Sequence, residues 1–139
     1  MSVQEIACYL TFNGNCEEAF QVYEKVLGGK IAMKMTFGEA PGEGNTPPDW
    51  KDKIIHIRLV IGDRALMASD APPGRFNPIK GMFVNLGFKD PKEAEQVYNA
   101  LSKGGQIEMP LQETFWAAKF AMFTDRFGTP WMINCEKPV

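Results

Sequence analysis

The sequence predicts an α+β domain built from two copies of a β-α-β-β-β module. The main observation is an internal repeat: residues 18–23 read EAFQVY, and residues 93–98 read EAEQVY. Each copy is followed by a Gly-Gly pair, at residues 28–31 (GGKI) and 104–107 (GGQI). Two matches in the same order predict two structurally equivalent halves. Each half also holds one amphipathic helical segment with strand-like segments on both sides.

The first helix is predicted from its end signals and its apolar stripe. Asn15 is the expected N-cap, and Glu18 three residues later closes a capping box. Gly28-Gly29 is the expected stop. The residues between these signals repeat at helical spacing and form one stripe: Cys16, Ala19, Phe20, Tyr23, Val26 and Leu27.

The second helix carries the same kinds of signal. Asp90 is the expected N-cap, Pro91 suits the first helical position, and Glu93 follows three residues after the cap. Gly104-Gly105 ends the segment. Its apolar stripe has four members: Ala94, Val97, Tyr98 and Leu101.

Strand-like runs surround both helices. In the first half they cover residues 3–12, 30–37, 53–61 and 64–69, and in the second half residues 82–88, 106–111, 119–124 and 131–135. Gly62-Asp63 predicts a hairpin turn between two strands of the first half. Residues 126–130 (RFGTP) predict the matching connection in the second half.

Two proline- and glycine-rich stretches are expected to be loops, residues 38–52 and 71–80. The second is the natural linker, so we expect one domain over residues 1–139, with module one at about 1–70 and module two at about 81–139. The first is long for a strand connection, and such loops are more often lids than neutral connectors.

Composition excludes several classes of function. The chain has 139 residues, a net charge of −2 and three cysteines, without a C-x-x-C pair. No basic stripe is present to neutralise phosphates, so we expect no nucleic-acid partner. No apolar run reaches membrane-spanning length, and no leader-like segment opens the sequence, so we expect a cytoplasmic protein without membrane contact. The odd number of cysteines favours reduced thiols.

Several segments resemble the PhnB-like branch of the vicinal-oxygen-chelate (glyoxalase/bleomycin-resistance) superfamily. They are residues 9–19 (YLTFNGNCEEA), 61–63 with 66–72 (IGD and LMASDAP), 109–116 (MPLQETFW) and 124–131 (TDRFGTPW). The resemblance implies a glyoxalase/bleomycin-resistance-like fold in which tandem modules form curved mixed sheets around a cavity. It also implies a homodimer.

The resemblance also locates the metal positions of metal-dependent relatives, which hold one divalent ion with His and Glu ligands. Counting from helix and turn landmarks places those positions at Cys8, His56, Met82 and Met132. A thiol, an imidazole and two thioethers suit nickel, magnesium or manganese poorly. We therefore expect no cofactor and disfavour a divalent metal, which stays an alternative; a Cu(I) site on these four residues is a further alternative.

His56, the only histidine, is expected to share a strand face with Arg58. The apolar residues between them should meet the helix, which leaves His56 and Arg58 on the concave side. Leu10 and Phe12 share a face with Cys8, and together these residues predict a small-molecule pocket. The alternative is an ordinary core with His56 and Arg58 at its rim. A Cys8–His56 thiolate–imidazole pair is a further, weaker alternative.

In the second half, Gln112, Glu113 and Trp116 lie in a turn-like stretch that could cap a cavity and stack on a planar ligand. The same stretch could instead pack an interface, and Glu113 could pair with Arg58 or be an ordinary surface carboxylate. The resemblance implies that Asp125 caps its turn, and Trp131 is expected in the core.

These observations leave three functions open. The first is a small-molecule binding protein without a conventional metal. The second is a glyoxalase- or dioxygenase-type isomerase or lyase that uses His56 to move a proton, with or without metal. The third is the 3-demethylubiquinone methyltransferase-like activity with which members of this branch are often labelled. The third is disfavoured because S-adenosylmethionine usually needs a glycine-rich strand-to-helix turn, and the Gly-Gly pairs of this sequence follow helices instead.

Overall fold

The chain forms two compact units, Met1–Pro78 and Ile79–Val139, in a computed structural model that describes residues 2–42 and 46–138. Each unit contains one four-stranded mixed sheet and one α-helix, which confirms the predicted α+β class. None of the helices in these described ranges combines the length and the apolar character needed to cross a membrane.

The first unit contains five main elements and a short 3₁₀ helix. Its strands are β1 (Cys8–Phe12), β2 (Lys30–Thr36), β3 (Ile54–Ile61) and β4 (Arg64–Asp70), its helix is α1 (Cys16–Leu27), and the 3₁₀ helix is Pro48–Trp50. The sheet order is β1-β4-β3-β2. β1 and β4 are parallel, and the other neighbours are antiparallel.

The second unit repeats this arrangement. Its strands are β5 (Val84–Phe88), β6 (Gln106–Gln112), β7 (Ala117–Thr124) and β8 (Pro130–Glu136), and its helix is α2 (Pro91–Ser102). The sheet order is β5-β8-β7-β6, again with one parallel pair, β5 with β8. The repeated hexapeptides start at the third residue of each helix, and the alanine of each copy, Ala19 or Ala94, is fully buried.

Several predicted boundaries need correction. The first strand starts at Cys8 and not at Val3, because residues 2–7 make no ladder, and the fifth starts at Val84 and not at Met82. The predicted loop over residues 38–52 contains the 3₁₀ helix, and its residues 43–45 lie outside the described ranges. The Gly62-Asp63 hairpin is confirmed, since Ile61 pairs with Arg64.

The predicted capping box of α1 is wrong. The Asn15 side chain makes no cap hydrogen bond. The Asp70 carboxylate takes its place, with Oδ1 accepting from the backbone N–H of Gly14 at 2.8 Å and of Cys16 at 3.0 Å. Its Oδ2 accepts from the backbone N–H of Ile54 at 2.9 Å. Asp70 is fully buried, so one carboxylate joins the ends of β1 and β4 to the starts of α1 and β3.

The second unit has its own buried carboxylate, Asp125. Its Oδ1 accepts from the backbone N–H groups of Phe127 and Thr129, and its Oδ2 accepts from the Trp131 indole at 2.8 Å. The predicted turn-capping role of Asp125 and the core position of Trp131 are therefore confirmed. Asp90 is the N-cap of α2 as predicted, accepting from the Lys92 N–H.

The second glycine of each Gly-Gly pair has a role that differs from the predicted helix stop. A Cβ on Gly29 would lie 2.7 Å from the Val60 carbonyl oxygen, and one on Gly105 would lie 2.1 Å from the Thr124 carbonyl oxygen. Gly28, with φ of 71°, ends α1 in the left-handed conformation. The pair thus combines a helix end with a close approach to the neighbouring strand.

In each sheet one face packs against the helix, and we call the other the open face. Register places paired residues of neighbouring strands on the same face. The open face of the first sheet carries Tyr9, Thr11, Met33, Met35, His56, Arg58, Met67 and Ser69. The open face of the second sheet carries Asn85, Gly87, Met109, Gln112, Phe120, Met122, Met132 and Asn134.

Candidate functional site

The open face of the first sheet concentrates the polar chemistry of that unit. Tyr9, Met67, Arg58 and Met33 lie side by side across the four strands, because each is the register partner of the next. His56 lies two residues before Arg58 on β3, about 7 Å along the strand. Tyr9 and Met33 are 47% and 37% exposed. This row therefore places a phenol, an imidazole and a guanidinium among thioethers.

Tyr9 and His56 form a direct pair. The Tyr9 hydroxyl lies 3.1 Å from His56 Nδ1, and the two rings are stacked with centroids 5.6 Å apart and planes inclined by 26°. In this contact the phenol can donate to Nδ1 of a ring that carries its proton on Nε2, or accept from an Nδ1–H. The pair presents two nearly parallel rings and the imidazole Nε2.

Arg58 is engaged by a carboxylate from the segment that precedes β1. Its Nη1 donates to Glu5 Oε1 at 3.0 Å, and its Nη2 donates to Glu5 Oε2 at 2.5 Å. Hydrogen bonding to Arg58 lowers the pKa of the Glu5 carboxyl, and the same contact raises the pKa of Arg58. Nη1 also lies 3.3 Å from the Met67 sulfur. The guanidinium is thus held by Glu5 and Met67, two residues along β3 from His56.

The predicted positions of His56 and Arg58 agree with this arrangement, since both lie opposite the buried Ile57 and Leu59. The prediction that Cys8, Leu10 and Phe12 line the same pocket as His56 and Arg58 is wrong. Leu10 and Phe12 are 3% and 1% exposed. Cys8, Leu10 and Phe12 pair with Leu66, Ala68 and Asp70 on the helix side of the sheet. Leu10 and Phe12 therefore belong to the helix-covered core, and Cys8 is half-buried on the same side.

The error is a shift of one residue, and a one-residue shift moves a side chain to the other face of a sheet. The residue beside His56 is Tyr9 and not Cys8. The proposed Cys8–His56 thiolate–imidazole pair therefore does not form. The alternation in β1 held the signal: Cys8, Leu10 and Phe12 are apolar, while Tyr9 and Thr11 carry hydroxyls. Glu5 had no sequence signal, because its partner lies far along the chain.

The open face of the second sheet is mostly apolar. Met109, Met122 and Met132 are neighbours across β6, β7 and β8. Trp116 covers the next row: its ring lies edge-on to Phe120 at 5.2 Å, and its indole N–H donates to Asn134 Oδ1 at 3.2 Å. Trp116 therefore packs on its own sheet and is 45% exposed.

The other predicted residues of the second unit lie at its margins. Met82 precedes β5 and is 54% exposed. Gln112 is the last residue of β6 and pairs in register with Phe120. Glu113 is exposed and forms an ion pair with Lys137 at 3.2 Å, which agrees with a surface carboxylate. Arg58 pairs with Glu5 within its own unit.

Comparison with known proteins decides the family. A family model described as the Glyoxalase/Bleomycin resistance protein/Dioxygenase superfamily matches residues 5–133. The chain belongs to this superfamily. Protein YjdN from Escherichia coli is 37% identical to it over 139 residues, and the match covers 93% of each protein.

Two solved structures extend the comparison. Protein PA1353 from Pseudomonas aeruginosa aligns with a TM-score of 0.89 and 51% identity, over 98% of this chain and 100% of that one. The PhnB protein from Bacillus cereus, described provisionally as a 3-demethylubiquinone-9 3-methyltransferase, aligns with a TM-score of 0.80 and 22% identity. That match covers 95% of this chain and 99% of the other. The superfamily membership and the PhnB-like fold predicted from the sequence are thus confirmed.

The residues at the predicted metal positions do not fit the divalent ion of metal-dependent superfamily members. Cys8 and His56 are on opposite faces of the first sheet, so neither the usual site nor the Cu(I) alternative can include both. Among residues 2–42 and 46–138, no three or more His, Cys, Asp or Glu side chains are grouped to hold an ion. Around His56 the nearest polar chemistry is a phenol and a guanidinium, and a guanidinium repels a cation. The expected absence of a metal stays a prediction.

Proposed function

We propose that this superfamily member binds a small organic molecule on the open face of the first sheet, with Tyr9, His56 and Arg58 as its polar contacts and without a divalent metal. The observation that carries the proposal is the hydrogen-bonded and stacked Tyr9–His56 pair near Arg58, on a face that also carries Met33, Met35 and Met67. Apolar surface with a few convergent polar groups is typical of ligand sites.

The chemistry of the face defines what the ligand must offer. Methionine side chains adapt to varied apolar shapes, and Met33, Met35 and Met67 surround the polar groups. The imidazole N–H can donate a hydrogen bond to the ligand, and the paired rings favour a planar group. We therefore expect a small planar molecule with at least one acceptor.

A titration with neutral and charged aromatic probes tests the proposal. Phenol, benzamide and benzoate are titrated into wild type and into Tyr9→Leu and His56→Leu, with calorimetry as the readout. Loss of a ring contact of this type costs about 1 kcal/mol, so each variant should bind the best probe several-fold more weakly. Met122→Leu changes the position on the second sheet that corresponds to Arg58 and serves as the matched control.

The outcome that contradicts the proposal is equally definite. Unchanged affinity in both first-sheet variants together with loss in Met122→Leu would place binding on the second sheet. If the probes bound only after a divalent ion was added, the site would require a metal, and the metal-free proposal would be wrong.

A catalytic role for His56 is the second candidate, favoured by the Tyr9 hydrogen bond that orients its ring. An isomerase or lyase could use such an imidazole to move a proton. This candidate requires turnover that disappears in His56→Ala and falls in Tyr9→Phe, while binding alone would leave the probe chemically unchanged.

The methyltransferase activity in the description of the Bacillus cereus structure is less well supported here. The backbone N–H groups of Gly14 and Cys16, at the strand-to-helix turn of the first unit, already donate to Asp70. They are therefore not available to an anionic cofactor group. A calorimetric titration with S-adenosylmethionine should show no binding.

Superfamily members bind small molecules and are often dimers, and we propose that this chain is a cytoplasmic homodimer without a nucleic-acid or membrane partner. Sedimentation equilibrium of the full chain measures the assembly directly, and a monomer at all concentrations would contradict it.

A further inference from the structure

We infer that the ligand of the first-sheet site carries a carboxylate, and that Glu5 occupies the place of this carboxylate when the ligand is absent. The inference rests on the proposed function, because it names the ligand class of the same site. It makes the segment before β1 an intramolecular competitor for that ligand.

The geometry of the Glu5–Arg58 contact is the first support. Both carboxylate oxygens are used, each by a different terminal nitrogen of the guanidinium, at 3.0 and 2.5 Å. Such a two-bond fork is the arrangement by which arginine recognises carboxylate groups. Arg58 is also oriented by its neighbour, since Nη1 contacts the Met67 sulfur. The site therefore already displays a bound carboxylate, supplied by the chain itself.

The character of the segment that holds Glu5 is the second support. Residues 2–7 lie outside helices and strands. The hydrophobic residues on both sides of Glu5, Val3 and Ile6, are 77% and 93% exposed. The Glu5 side chain itself is 43% exposed. An exposed, irregular segment opens at low free-energy cost, so an external carboxylate can replace Glu5 without disturbing the sheet.

Charge on the open face is the third support. Among the eight open-face residues named above, Arg58 is the one charged side chain, and Lys30 lies at the end of the same face beside Val60. Release of Glu5 would leave an uncompensated positive charge among methionines, and a single anionic group restores neutrality. His56 lies two residues from Arg58 on β3, about 7 Å along the strand. A planar ring with an attached carboxylate therefore suits the Tyr9–His56 pair and Arg58 together.

Benzoate is the probe, with benzamide as its neutral analogue and acetate as the carboxylate without a ring. Binding is followed by calorimetry and by the NMR shifts of methionine methyl groups labelled with carbon-13. If Glu5 fills the site for about nine-tenths of the time, its removal raises the apparent affinity about tenfold. Glu5→Gln should therefore bind benzoate about tenfold more tightly than wild type and should leave benzamide affinity unchanged.

The matched control removes a carboxylate of the same type from the helix side of the same unit. Glu17 pairs with Lys34 at 2.6 Å, so Glu17→Gln changes the net charge equally without touching the site. Its benzoate affinity should equal that of wild type. Arg58→Met, introduced into wild type or into Glu5→Gln, should abolish the preference for benzoate over benzamide.

The results separate this inference from the proposed function. Equal benzoate affinity in wild type and Glu5→Gln, or equal affinity for benzoate and benzamide in Glu5→Gln, would overturn the carboxylate assignment. If the Met33 and Met67 methyls still shifted in that case, the proposed binding face would stand. Tighter benzoate binding by both Glu5→Gln and Glu17→Gln would assign the effect to net charge and would also overturn the inference.

Discussion

The two sheets of this chain share one scaffold but have different open faces. The first sheet has the row Tyr9–Met67–Arg58–Met33. The equivalent row of the second sheet is Asn85–Met132–Met122–Met109. Two residues before Arg58 lies His56, and two residues before Met122 lies Phe120. The methionines at the Met67 and Met33 positions recur, but the ring pair and the guanidinium do not.

This difference separates what the fold needs from what the site needs. Features present in both units, such as the buried aspartate and the close glycine, are explained by the scaffold. Features present only in the first unit, namely Tyr9, His56 and Arg58, are not required for strand pairing. The contrast therefore assigns the candidate binding chemistry to the first sheet.

The largest expected effect concerns the buried aspartate, a feature of both units. Asp70→Ala should lower the free energy of unfolding by about 3 kcal/mol, because two buried backbone N–H groups and a half-buried one lose their acceptor. Urea unfolding measures the change. Asp63→Ala is the control, since Asp63 is exposed and its ion pair with Arg64 spans 3.9 Å. If Asp70→Ala lost no more unfolding free energy than the control, Asp70 would not be a stabilising residue of the fold.

The next effect tests the close glycine of the second unit. Gly105→Ala should destabilise by about 2 kcal/mol, because the new Cβ meets backbone atoms and the strand must shift. Gly87→Ala is a matched control on the open face of the same sheet, where a Cβ meets nothing within 4 Å. Similar thermal unfolding midpoints for both variants would contradict the packing assignment.

A smaller effect distinguishes the two helix starts. Cys16 begins α1, and Pro91 occupies the equivalent place in α2. Burial raises the pKa of the Cys16 thiol well above its ordinary value, and the Asp70 and Glu17 carboxylates raise it further. The folded state thus holds this proton more tightly than the unfolded state.

The stability from the protonated Cys16 thiol is fully present below the unfolded thiol pKa of about 8.5. It decreases as pH rises above that value towards the folded pKa. Relative to Cys16→Ala, the free energy of unfolding of wild type should fall by up to about 1.4 kcal/mol per pH unit. Urea unfolding of both proteins from neutral to alkaline pH measures the difference, and parallel curves would be the contrary result.

Much of this architecture could be predicted from local signals. The two helices follow from periodicity and end residues, and the repeat places its alanines at equivalent buried positions, Ala19 and Ala94. The α1 cap could not be predicted, because its acceptor is Asp70, which only the parallel pairing of β1 with β4 brings near. The face of β1 was predictable from alternation and was missed by one residue. Glu5 could not be predicted, since its contact depends on tertiary structure alone.

The most direct test of the account compares methionine methyls on both open faces in one experiment. Wild type and Glu5→Gln, labelled with carbon-13 at the methionine methyls, are titrated with benzoate. The account predicts shifts at Met33 and Met67 that saturate at lower benzoate concentration in Glu5→Gln, with Met109, Met122 and Met132 unchanged. Shifts confined to Met109, Met122 and Met132, or no shifts at any methionine, would contradict it.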